Sequence, residues 1–130
     1  GSTAWDISAA GDSPLSFPMW GAMGTAAMVG LGLALAQPAR RVLVITGDGE
    51  MLMGLGSLAT IGVQKPGNLA IAVIDNERYG ETGMQATHTA SGVDLAGVAR
   101  ACGFGVAALA RSEAEFAAAR QSLLGAPGPV

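Results

Sequence analysis

The chain has 130 residues, half of them hydrophobic, with 10 acidic and 7 basic side chains and one histidine. Its mild net charge of −3 excludes nucleic acid as the main partner, because phosphate binding needs clustered Lys and Arg. The single cysteine, Cys102, excludes an internal disulfide and fits a reducing cytoplasm. The length is that of a single domain covering residues 1–130. Charged residues make up only 13% and glycine stands at 20 of 130. A chain so poor in charge and rich in small residues is expected to bury surface against partners.

Gly1-Ser2-Thr3 carries no basic region or apolar run of a targeting signal. Asp6 to Pro18 reads as a loop, and both ends of the chain look cut. Gly21 to Ala36 is an uncharged run of 16 residues, short of the ~20 needed to cross a bilayer, so a buried helix is expected and no membrane span. Arg41 to Thr46, RVLVIT, is a β-branched run without polar alternation, which predicts a strand covered on both faces. Gly47-Asp48-Gly49 breaks it, and Glu50 to Gln64 reads as one helix. Leu69 to Ile74, LAIAVI, predicts a second buried strand.

Asp75 to Gly92 follows as a long polar loop, of a length that is uncommon unless functional or disordered. Val93 to Ala101 predicts a helix and Gly105 to Leu109 a third strand. Ser112 opens a last helix, where Ser112 and Glu115 have the spacing of a capping box. A further strand could begin in Gly125 to Val130. This alternation predicts an α/β fold with an open, mostly parallel sheet and helices on both faces.

Such sheets bind ligands beyond the carboxyl ends of their strands. The residues standing there are Gly47-Asp48-Gly49-Glu50 and Asp75-Asn76-Glu77-Arg78-Tyr79-Gly80. A carboxylate from Asp48 and an amide oxygen from Asn76 are hard donors that suit Mg²⁺ with phosphate and water as co-ligands. Free N–H groups where the next helix starts, near Glu50, favour a diphosphate. Other glycine patterns fail: a dinucleotide fingerprint would need glycine where Leu52 stands, and a P-loop would need Lys-Ser or Lys-Thr where Leu55-Gly56 stand. A receiver-like phosphotransfer domain needs a late lysine, whereas the only lysine, Lys65, lies in a turn.

Gly47-Asp48-Gly49, with Asn76 28 residues after Asp48, resembles the GDG…N signature of thiamine-diphosphate enzymes. Trp20-Gly21-Ala22-Met23-Gly24 is similar to the segment that holds the cofactor's aminopyrimidine in that family. The stretches Glu50 to Thr60 and Asp75 to Gly83 are most similar to the β-type halves of sulfopyruvate and phosphonopyruvate decarboxylases. The resemblance covers roughly residues 17–105.

The resemblance implies a Mg²⁺- and thiamine-diphosphate-binding half of a 2-oxo acid decarboxylase or carboligase. Asp48, Asn76 and the backbone carbonyl of Arg78 would hold Mg²⁺. Backbone around Gly47, Gly49, Glu50 and Met51 would meet the diphosphate, with help from Tyr79, Gly80 and Glu81. Gly21 and Ala22 would lie at the aminopyrimidine, and Met23 would wedge between the two rings, where a long apolar side chain fills the gap. Thr82 and His88 are the candidates to act on substrate; an exposed loop histidine is the plainer reading of His88. Glu50 departs from the Ser or Ala common in relatives, and its carboxylate beside a diphosphate implies that it caps a helix or points away. The family's activating glutamate belongs to a pyrimidine-binding domain that these residues do not include, which implies a partner domain or subunit and a homo- or hetero-oligomer. The alternative is a non-catalytic diphosphate-binding regulatory module. Trp20 and the methionines other than Met23 read as packing, and Cys102 as a small buried residue.

Overall fold

The computed structural model describes residues 2–11 and 13–130; Gly1 of the N-terminal tripeptide and Asp12 of the expected loop lie outside the described residues. In chain order come α1 (Ser2–Ala10), α2 (Ala26–Ala36), β1 (Val42–Gly47), α3 (Asp48–Met53), α4 (Gly56–Gln64) and β2 (Leu69–Ile74). A short hairpin of β3 (Arg78–Tyr79) and β4 (Gln85–Ala86), a 3₁₀ turn at His88–Ser91, α5 (Leu95–Ala101) and α6 (Glu113–Gly125) follow. The fold is α/β with a parallel β1–β2 pair in the register Val42↔Leu69 to Gly47↔Ile74.

The core lies on one face of that pair. Val42 and Val44 of β1 and Leu69 of β2 pack with Ala27, Leu31 and Ala34 of α2, Leu58 and Ile61 of α4, Ala99 of α5 and Phe104. Helix α2 sits this close because residue 30 is glycine: a Cβ there would lie 2.2 Å from the Val44 side chain. The expected buried helix is corrected: the 21–36 run is helical only from Ala26 onward and buried on one face, through Ala27, Gly30, Leu31 and Ala34, while Met28, Val29, Leu33 and Leu35 are exposed, and no helix among the described residues is long and apolar enough to cross a membrane.

Four further expectations are corrected. Residues 2–10 form helix α1 where a loop was expected from Asp6, with Trp5 meeting Trp20 edge-on at a centroid distance of 5.2 Å. The strand β1 alternates: Val42, Val44 and Thr46 are buried, whereas Leu43 is exposed and Ile45 half-buried, so its second face is only partly covered. The helix expected over Glu50–Gln64 is two helices, starts at Asp48, and breaks at Gly54-Leu55. The third strand expected over 105–109 does not form, because the C-terminal residues occupy the β2 edge. Ile71 donates to the Val130 carbonyl at 2.8 Å, Val130 donates to Leu69 at 3.3 Å, and Gly105 meets Pro129 instead, at 3.1 Å.

The expected capping box holds: Ser112 Oγ accepts from the Glu115 N–H at 3.3 Å, and Glu115 Oε2 accepts from the Ser112 N–H at 3.1 Å. Glu115 also accepts from the Arg111 N–H at 2.7 Å. Held first by that Arg111 bond and then by Ser112, the exposed Glu115 carboxyl sits below its ordinary range. Helix α6 is tied to the sheet by Arg41, whose guanidinium donates to the carbonyls of Ser122, Leu123 and Ala126 at its C-terminal end.

Candidate functional site

The parallel register ends with Gly47 opposite Ile74, so Asp48 and Asp75-Asn76 leave the sheet side by side at its carboxyl edge. Gly47 stays extended as the N-cap and Asp48 opens α3. The Asp48 side chain is 2% exposed. Its Oδ2 accepts the Thr87 hydroxyl at 2.5 Å and lies 3.2 Å from the Thr89 hydroxyl. Oδ1 takes part in no hydrogen bond among the described residues. Among the described residues the buried side-chain oxygen without a partner is Ser57 Oγ, so Asp48 Oδ1 is not sealed off: it keeps access to the site edge, where water or a cation can reach it.

Beyond β2, two side chains turn the backbone. Asp75 Oδ1 accepts the Glu77 N–H at 3.1 Å and Asn76 Oδ1 accepts the Arg78 N–H at 3.0 Å. These successive Asx turns carry Glu77 through φ 61°, a left-handed conformation that non-glycine residues seldom adopt. They feed Arg78–Tyr79 into the β3–β4 hairpin, so much of the segment expected as an irregular loop is ordered. Tyr79 is half-buried and its ring lies over Gly49, where a Cβ would stand 2.4 Å from the ring. Only glycine at 49 admits it.

Past Tyr79, the exposed Gly80 and Glu81 lead into a tight turn. Thr82 Oγ1 donates to Gln85 Oε1 at 2.9 Å, and Gln85 Nε2 donates back to the Thr82 carbonyl at 3.1 Å. The hydroxyl proton of Thr82 is therefore engaged within the turn. His88 is exposed, and the residues on either side of it, Thr87 and Thr89, are buried.

Upstream, Gly21 and Gly24 adopt φ 69° and 85°. Gly24 crosses Gly54 at close range: a Cβ on residue 54 would lie 2.2 Å from the Gly24 carbonyl oxygen. This crossing breaks the α3–α4 helix and fixes the neighbourhood of Met23, which is 40% exposed. Glu50 secures the same corner. Its Oε2 accepts the Thr46 hydroxyl at 2.6 Å and its Oε1 accepts the Ala26 N–H at the start of α2, at 2.9 Å. Glu50 thus caps a helix, but α2 rather than its own, and both its oxygens are engaged. Met51 is 1% exposed, its side chain in the core.

Sequence reading missed Thr46, Gly54, Thr87 and Thr89. The spacing Thr87-His88-Thr89 alternates buried and exposed as an anchored segment does, yet nothing local reveals an Asp48 partner 39 residues away. No group of three or more His, Cys, Asp or Glu side chains suited to metal occurs among the described residues. A cation at this edge would draw on one carboxylate and on neutral oxygens. Asp48 Oδ1, the Asn76 amide oxygen, which also accepts the Arg78 N–H, and the Arg78 backbone carbonyl are oxygens of the hard type that could serve a divalent ion such as Mg²⁺.

Comparison with known proteins gives a consistent result. Residues 7–130 match the family described as thiamine pyrophosphate enzyme, C-terminal TPP binding domain. Sulfopyruvate decarboxylase subunit beta of Methanothermobacter thermautotrophicus is 53% identical over 95 residues, covering 73% of this chain and 50% of the relative. The subunit of the same name from Methanocaldococcus jannaschii is 49% identical over 92 residues, 71% of this chain and 48% of the relative. Phosphonopyruvate decarboxylase of Streptomyces viridochromogenes is 48% identical over 118 residues, 91% of this chain but 29% of the relative. The chain spans half or less of the length of these curated relatives.

Proposed function

The chain belongs to the thiamine pyrophosphate enzyme family, as its C-terminal TPP binding domain, and from that premise we propose that it is the Mg²⁺-thiamine-diphosphate half of a 2-oxo acid decarboxylase. The observation that carries this reading is the buried Asp48 carboxylate at the β1 edge, fixed through Oδ2 and unpaired at Oδ1, beside Asn76.

Asp48, Asn76 and the Arg78 carbonyl hold the cation, whose charge offsets that of the diphosphate. Backbone at Gly47, Gly49, Glu50 and Met51 and at Gly80 and Glu81 binds the diphosphate, with Tyr79 closing over Gly49. Because the Glu50 carboxylate is committed to Thr46 and Ala26, it does not oppose the phosphate charge by direct contact. Gly21 and Ala22 receive the aminopyrimidine, and Met23 wedges against the rings. Bound thiamine diphosphate supplies the electron sink through which a 2-oxo acid loses carbon dioxide. His88 stands at the exposed rim as the candidate proton donor or carboxylate partner for substrate. Thr82 contributes through its backbone and its turn, since its hydroxyl proton is engaged by Gln85.

A pyrimidine-binding partner, domain or subunit, supplies the activating glutamate and covers exposed apolar side chains such as Trp20, Met23 and Met28. Sulfopyruvate and phosphonopyruvate, named by the relatives, are the first 2-oxo acids to try. The free, half-buried Cys102 agrees with a cytoplasmic setting.

The test is a calorimetric titration of thiamine diphosphate with Mg²⁺ into the assembled protein. Asp48→Ala and a chelator serve as controls. Heat that disappears in both controls supports the reading; binding that survives both overturns it.

A further inference from the structure

We propose that Thr87 and Thr89 are positioning residues for Asp48, holding its carboxylate by Oδ2 so that Oδ1 alone is presented to a divalent cation. The proposal rests on the reading of Asp48 as a metal ligand.

The two hydroxyls and two carboxylates form one hydrogen-bonded cluster. The Thr87 contact to Asp48 Oδ2, 2.5 Å, is at the short end of hydroxyl–carboxylate hydrogen bonds. The shorter carboxylate contact of Thr89 is to Asp75 Oδ1, at 2.8 Å, against 3.2 Å to Asp48. Thr87 donates to Asp48, and the Thr89 hydroxyl is shared within reach of both Asp48 Oδ2 and Asp75 Oδ1. The two hydroxyl oxygens lie 2.9 Å apart, packed as one unit beneath the exposed His88.

This arrangement has a purpose that fold stability alone does not demand. The terminal torsion of an aspartate is broad, and a carboxylate fixed by nothing rotates between its two oxygens. Asp48, Thr87 and Thr89 are 2%, 2% and 8% exposed, so the hydroxyl bonds are shielded from competing water. Partners that orient a metal ligand in this way raise the affinity of the site. The same bond joins the carboxyl edge of β1 to the residues flanking His88, and through Thr89 and Asp75 to the edge of β2.

The experiment is a titration of Mn²⁺, followed by its paramagnetic resonance signal, into the assembled protein saturated with thiamine diphosphate. Thr87→Val, Thr87→Ser, Thr89→Val and Asp48→Ala are compared, with thermal unfolding of each. Thr87→Val should weaken Mn²⁺ about tenfold or more, and Thr87→Ser, which keeps the hydroxyl, should bind within about threefold of wild type. If Thr87→Val does not fold, Thr89→Val carries the test by the same criterion. Valine variants that bind Mn²⁺ within about twofold of wild type, while Asp48→Ala does not bind, overturn the positioning role and leave Asp48 as ligand. Wild-type Mn²⁺ affinity in Asp48→Ala overturns both.

Discussion

Glu50 on α3 accepts the backbone N–H of Ala26, 24 residues earlier, at 2.9 Å. With its other oxygen on Thr46, one carboxylate joins the end of β1, the first turn of α3 and the start of α2. It binds the Gly21–Gly24 side of the site to the Gly47–Gly49 side. Glu50→Ala strands a strand hydroxyl and a helix N–H, and should cost about 1–3 kcal/mol in denaturant unfolding. Glu50→Gln, which keeps an acceptor for Ala26, should lose less.

The Gly24–Gly54 crossing predicts a contrast between two glycines two residues apart. A Cβ at 54 meets the Gly24 backbone, whereas at 56 it meets nothing within 4 Å. Gly54→Ala should therefore lower stability by about 1–3 kcal/mol and weaken thiamine diphosphate binding by displacing residues 21–24. Gly56→Ala, in the first turn of α4, should be neutral or stabilising by up to ~1 kcal/mol. Thermal unfolding and calorimetry on the two variants check this.

Met23 is 40% exposed beside that crossing. As the wedge against the cofactor rings, it acts by shape. Met23→Leu should retain most activity, and Met23→Ala should lower kcat/KM by roughly 10²-fold through loose positioning. Comparable losses in both variants would count against a shape role.

Acid should loosen the capping box of α6. The Glu115 carboxyl lies below its ordinary range because it accepts from Arg111 and then Ser112. A carboxyl depressed in the folded state stabilises fully above its unfolded value, and that contribution is lost as the pH falls through the depressed one. Thermal midpoints measured from neutral pH down past the ordinary carboxylate range should fall less steeply in Glu115→Gln than in wild type. Parallel slopes would remove Glu115 from the acid response.

Periodicity and chemistry along the chain determined much of this protein. The strands LAIAVI and VLVIT, the Ser112–Glu115 cap and the Gly47-Asp48-Gly49 and Asn76 pair could all be read there, because each depends on neighbours within a few residues or on a spacing the family shares. The third strand was misread because an apolar run in 105–109 says nothing about which segment takes the β2 edge; Val130 takes it. The single helix over Glu50–Gln64 was misread because its break comes from Gly24 pressing on Gly54, a contact between chain segments 30 residues apart. Likewise, whether Glu50 faces phosphate or a helix end, and what holds Asp48, depended on Ala26, Thr46, Thr87 and Thr89. Buried carboxylates take whatever donors the packed chain brings within hydrogen-bond reach, and only the tertiary structure brings those donors together.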